Sequence, residues 1–126
     1  MKLRTNKNSI RLRLSQKEVA SFQQYGSIEE CVNFSDQNSD CLRYSLIQAD
    51  HEQISVTFIN NHIRVYVPLS IASQWFADDQ IGFDARILLK GEDYLYVLVE
   101  KDYQCLVDRP NEDESNNFPN PNATKC

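Results

Sequence analysis

The chain has 126 residues, 41% of them apolar and 25% charged, which fits one domain able to bury roughly two-thirds of its unfolded surface. That balance excludes a disordered body, and no apolar run approaches the length of a membrane span. The net charge is −5, yet Lys2, Arg4, Lys7, Arg11, Arg13 and Lys17 open the chain with no acid among them, so an acidic molecule begins with a basic segment and general nucleic-acid binding is not expected.

The opening reads as strand. Leu3 lies between Lys2 and Arg4, and Ile10, Leu12 and Leu14 alternate with Arg11 and Arg13, with a turn expected at Asn6-Lys7-Asn8. Ser15-Gln16-Lys17-Glu18 is a capping-box sequence, in which hydroxyl and carboxylate satisfy free backbone donors at a helix start. Val19 and Phe22 mark one face of that short helix, and Gly26 ends it. A brief strand is expected over Cys31 to Phe34, then a polar loop over Ser35 to Asp40, then a strand in which Leu42, Tyr44 and Leu46 alternate with Arg43 and Ser45.

The strongest local signal is ISVTFINNHIRVYV, residues 54–67. Ile54, Val56 and Phe58 point one way before Asn60-Asn61, and Ile63, Val65 and Val67 point one way after it. A period of two is what a half-buried strand requires, and asparagine tolerates the positive φ of a tight hairpin turn. His62 is expected to be an exposed turn residue. Pro68 and Leu69 lead to Ser70, a candidate N-cap, with Ile71 and Trp75 on one helical face and Asp78 and Asp79 near the helix end. The last hairpin joins Ile81, Phe83, Ala85 and Ile87 to Tyr94–Val99 through Lys90-Gly91-Glu92-Asp93.

From Cys105 the composition shifts to proline and asparagine around the acidic run Glu112-Asp113-Glu114, which cannot form a regular ladder or a long helix. The segment is either a disordered tail or an irregular strap lying on the domain, and Phe118, between Asn117 and Pro119, suits an anchor and favours the strap. The expected architecture is α+β: an antiparallel meander, either an open layer or a partly closed barrel, with two short helices over residues 1–104 and the strap over 105–126. No internal repeat of solenoid or propeller period is visible.

Candidate chemistry is sparse. Arg11 and Arg13 share a strand face, and Arg43, Arg64 and Arg86 each occupy an alternate strand position. Curled inward, Arg11, Arg13, Arg43 and Arg64 would line an anion-binding cavity of the kind a phosphohydrolase uses, but the paired strand acids that would hold Mg²⁺ there are missing. A solvated sheet face is the simpler expectation. Cys105 and Cys126 bracket the strap and could close a zinc site or a disulfide, though neither shows paired-ligand spacing. Cys31 and Cys41 are expected to be buried thiols. Cys105 or Cys126 with His51 or His62 forms no specific nucleophile pattern, so no catalytic residue is assigned. Trp75, Tyr94 and Tyr96 are expected in the core.

The opening KLRTNKNSIRLRLSQKEV and the late VEKDYQCLVDRPNEDESNNFPNP are similar to a small family of uncharacterised bacterial proteins. The resemblance implies that the segment from Glu100 to Pro121 is integral to the protein, and it brings no activity and no cofactor. The absence of an apolar signal segment in MKLRTNKNS predicts a cytoplasmic location with reduced thiols. The expected role is a non-enzymatic binding or assembly module with a protein partner or a second copy of itself, the basic opening edge meeting the acidic terminal segment.

Overall fold

The computed structural model describes residues 1–77 and 79–103. Along the chain come β1 (Lys2–Thr5), β2 (Ser9–Leu14), α1 (Gln16–Tyr25), β3 (Ser27–Asn33), β4 (Cys41–Ala49), β5 (Ser55–Ile59), β6 (His62–Pro68), α2 (Leu69–Phe76), β7 (Gly82–Leu88) and β8 (Tyr94–Lys101). The strands form two four-stranded sheets, ordered β1-β2-β8-β7 and β3-β4-β6-β5. Each outer strand pairs antiparallel with its hairpin mate, whereas the inner pairs β2–β8 and β4–β6 run parallel.

The α+β class with two short helices therefore stands, but the strands make two mixed sheets in place of one antiparallel meander, and no barrel closes among the described residues. The reason lies in the connections. Both helices act as crossovers: α1 carries the chain from the first sheet to the second, and α2 carries it back. Successive hairpins are thus dealt to different sheets.

The fold is an internal duplication. The series β1-β2-α1-β3-β4 recurs as β5-β6-α2-β7-β8 with an offset of 53 residues over most of its length (Ile10 to Ile63). Registers repeat with it: Lys2↔Arg13 corresponds to Ser55↔Tyr66, and Ser9↔Tyr96 corresponds to His62↔Arg43. Ile10-Arg11-Leu12 matches Ile63-Arg64-Val65, and Phe22 matches Trp75. Lys7 and Asn60, also equivalent, both take positive φ in their turns.

One apolar cluster joins the two halves. It gathers Leu12, Leu14, Val97 and Val99 from the first sheet, Leu46, Val65 and Val67 from the second, and Phe22, Ala72 and Trp75 from the helices. These side chains face inward because each alternates with polar or half-exposed neighbours along its strand. Ser15 and Glu18 make the full capping box of α1, and Gly26 closes that helix at φ 82, a left-handed conformation costly for any residue with a Cβ. The start of α2 differs from expectation: the helix begins at Leu69, and its N-cap is Pro68, fixed at φ −54, with no side-chain bond from Ser70. Met1 is buried at the base of the first half. Its carbonyl accepts from Tyr44 Oη at 2.9 Å, and its ammonium pairs with Glu18 and, at 3.1 Å, with Glu30.

Candidate functional site

The outward face of the first sheet is set by the register of its strands. Lys2 and Arg4 on β1 stand beside Arg13 and Arg11 on β2. Next, Arg13 lies beside Glu100, Arg11 beside Leu98 and Ser9 beside Tyr96 on β8. Asp84 and Arg86 on β7 complete the rows. Lys2, Arg4, Arg11, Arg13 and Arg86 outnumber the carboxylates Asp84, Glu100 and Asp102, so this face of an acidic protein is cationic.

At its centre two guanidinium groups share one oxygen. Arg13 Nε donates to Glu100 Oε1 at 2.7 Å and Arg11 Nη2 to the same atom at 2.9 Å. Burial alone would raise the Glu100 carboxyl, but the hydrogen bonds and charge of Arg13 and Arg11 outweigh it and hold the group below its ordinary value. One carboxylate cannot satisfy two forks. Arg11 Nε is buried with no partner among the described residues.

Beside this pair lies an open cleft of about 620 Å³ lined by Asp84, Ala85, Arg86, Tyr94 and Tyr96. Tyr96 Oη donates to Asp84 Oδ2 at 2.8 Å, and this bond, with burial adding to it, raises the phenol above its ordinary value. The Arg86 guanidinium sits 5.3 Å from the centre of the Tyr94 ring, within cation–π range. Tyr94 and Tyr96 therefore face outward and not into the core, while Trp75 is buried as expected. Leu95, Val97 and Val99 take the inward positions of β8, so strand alternation sends both tyrosines to the other side.

The four arginines considered as one anion site do not converge. Arg11 and Arg13 belong to the first sheet, Arg43 and Arg64 to the second. On that second sheet Ser45 Oγ lies 2.6 Å from His62 Nε2 and donates to Glu29 Oε1 at 3.1 Å, and His62 Nε2 is itself 3.3 Å from that oxygen. His62 is buried, at 9% exposure, and is not the exposed turn residue expected, because parallel pairing lays β4 along β6 and covers it. Desolvation, with Arg64 and Arg43 adding to it against the pull of Glu29, lowers the His62 pKa. With its proton given to the Glu29 carboxylate, Ser45 Oγ is left to accept from His62 Nε2, the role that a neutral ring protonated on that nitrogen fills. That order is the reverse of an activated serine, where the hydroxyl gives its proton to the imidazole and the acid binds the other nitrogen. Ser45 is also only 3% exposed. The cluster is a buried polar network and not a nucleophile.

Cys41 is buried, while Cys31 is exposed, contrary to expectation, because it faces outward near an edge of the sheet. Burial, reinforced by the neighbouring Cys31, raises the Cys41 thiol. Among the described residues no group of three His, Cys, Asp or Glu side chains is placed to hold a metal ion. The zinc or disulfide pair Cys105 and Cys126, Asp78 at the end of α2, and the strap with Glu112-Asp113-Glu114 and Phe118 lie outside the described residues. No described helix is long and apolar enough to cross a membrane.

These features define a duplicated, two-sheet α+β module with one cationic, tyrosine-bearing face. The chain belongs to the family of unknown function DUF7009, whose model matches residues 1–122 and so runs through the acidic, proline-rich segment. No curated protein and no solved structure matches the chain.

Proposed function

We propose that this protein is a binding module of the bacterial cytoplasm, not an enzyme, and that the outer face of its first sheet takes an acidic segment of a protein partner. One observation carries this: Arg11 and Arg13, both partly exposed, converge on a single oxygen of Glu100, which cannot occupy all the donors of two guanidinium groups. Guanidinium forks match carboxylates two bonds at a time, so the pair can accept a second carboxylate without first losing Glu100. Arg4 extends the positive row, and Tyr94 and Tyr96 offer flat amphipathic contact beside it. The free thiols of Cys31 and Cys41 fit a reducing compartment, and the likeness to bacterial proteins supports that origin.

Glu112-Asp113-Glu114 of a second copy is one source of such a segment. Inorganic phosphate is the competing ligand class, since the same two guanidinium groups suit it. A phosphohydrolase would need Arg43 and Arg64 beside them, and those stand on the other sheet. The test is fluorescence anisotropy of a labelled oligo-glutamate peptide against rising salt, with phosphate as competitor. Binding that salt weakens and Arg4→Glu abolishes is expected. Equal binding by wild type and Arg4→Glu would end the proposal, and displacement by millimolar phosphate alone would favour the anion site.

A further inference from the structure

Among the described residues the two sheets have four outer strands: β1, β7, β3 and β5. An outer strand offers unpaired N–H and C=O groups to any passing chain, and proteins guard it with charge, proline or a bulge. Here β1 carries Lys2 and Arg4, β3 carries Glu29 and Glu30, and β7 carries Asp84 and Arg86. By contrast β5, Ser55-Val56-Thr57-Phe58-Ile59, has no charge, no proline and no glycine. Its twin makes the contrast direct. At the places where β1 has Lys2 and Arg4, β5 has Ser55 and Thr57. Two large apolar side chains end the strand, Phe58 at 66% and Ile59 at 57% exposure. Thr57 Oγ1 is buried with no hydrogen-bond partner among the described residues.

We propose that β5 pairs antiparallel with β5 of a second copy about a two-fold axis through Thr57, joining the two second sheets into one continuous sheet. The hairpin fixes the phase. Asn60 and Asn61, at φ 53 and 61, form a two-residue loop closed by Ile59 and His62. Such a loop closes on a hydrogen-bonded pair, so Ile59, Thr57 and Ser55 bond inward to β6, and Val56 and Phe58 direct their main-chain groups outward. A two-fold axis at Thr57 then sets Val56 against the partner's Phe58 with both N–H···O bonds made. It sets Thr57 opposite the partner's Thr57 in a non-hydrogen-bonded position, where side chains approach most closely.

The side chains agree with that phase. The two Thr57 residues stand opposite each other across the axis, a pairing of β-branched residues at the closest cross-strand approach. Phe58 lies against the partner's Val56, an aromatic–β-branched pair on the core-side face, and Ile59 lies beside the partner's Ser55. The strand sequence is thus complementary to itself when reversed, as an isologous contact requires.

This contact is independent of the cationic face of the first sheet, and the experiment separates them. Sedimentation velocity on the full chain, over two decades of concentration and at low and high salt, is compared for wild type, Thr57→Arg, Phe58→Lys and Arg4→Glu. Thr57→Arg copies the guard that β1 already has, and Phe58→Lys alters an exposed side chain, so at least one is expected to keep the circular dichroism of the wild type. The expected result is a wild-type dimer that salt does not dissociate, retained by Arg4→Glu and lost in the folded β5 variants. A wild-type monomer at every concentration, a dimer that survives Phe58→Lys, or one that high salt dissolves would overturn the proposal.

Discussion

Phe22 and Trp75 hold equivalent places in the two helices and meet edge to face across the centre of the molecule, ring centroids 6.2 Å apart and planes at 63°. Both are buried, and around them converge the inward side chains of both sheets. Each alanine substitution should cost about 3–5 kcal/mol in urea unfolding. The double variant should lose less than the sum, by about 0.5–1.5 kcal/mol, because the ring pair is counted twice in the singles. Strict additivity would mean that the two halves do not communicate through this contact.

Glu100→Gln should destabilise the first sheet by about 1–3 kcal/mol, since it leaves the Arg11 and Arg13 guanidinium groups facing each other without their shared charge. The folded carboxyl titrates below its ordinary value of 4.5. The native state therefore binds fewer protons than the unfolded chain in that window. Its contribution is complete above the ordinary value and is lost as pH falls through the folded one. Unfolding free energies measured between neutral and acid pH should show this acid limb in the wild type and a shallower one in Glu100→Gln.

His62 predicts a second pH effect at a different place. Its folded pKa lies below the ordinary 6.5, so acidification below that value favours the unfolded, protonated form. Stability should begin to fall there, and His62→Gln should remove this limb while leaving that of Glu100. Two-dimensional NMR of the imidazole should show it titrating below its ordinary value, with the neutral ring carrying its proton on Nε2.

Ser45 should not react with a fluorophosphonate probe, because it donates to Glu29 and is shielded from solvent. Ser45→Ala should nonetheless cost about 1–3 kcal/mol in chemical unfolding, by leaving Glu29 and His62 short of a partner. Rapid labelling of Ser45 would contradict the direction of the hydrogen-bond chain.

Gly82→Ala should destabilise by about 1–3 kcal/mol on thermal unfolding, because an added Cβ would stand 2.5 Å from the Val99 carbonyl oxygen and force β7 from β8.

The hairpin of residues 54–67 is legible because its signal is local, alternation in Ile54–Phe58 and Ile63–Val67 about the Asn60-Asn61 turn, and the tetrad from Ser15 to Glu18 marks the start of α1 equally well, whereas β3, expected over Cys31–Phe34, runs over Ser27–Asn33. What joins the hairpins is not legible, since nothing near Arg13 in sequence announces Glu100, and the pairing β2–β8 is parallel and remote. The duplication left a usable trace in Ile10-Arg11-Leu12 against Ile63-Arg64-Val65, which comparison of the chain with itself would find. Periods of solenoid length pass over a single doubling. Aromatic preference points Tyr94 and Tyr96 into the core, but alternation with Val97 and Val99 puts them outside. Nothing local to His62 announces the β4–β6 pairing that buries it. On the cationic face, alternation alone puts Arg11 and Arg13 on one side, and no local signal points to Glu100 as their shared carboxylate.

The interlacing of the two halves bears on synthesis. Arg11 and the Glu100 that neutralises it are 89 residues apart, and β2 has no inner neighbour until β8 has been made. A nascent chain carrying only the first half holds two hairpins and a helix, each with an apolar side and no sheet to complete. Such a chain must wait on the ribosome for its own last strand, or find that strand's twin on a neighbouring nascent chain.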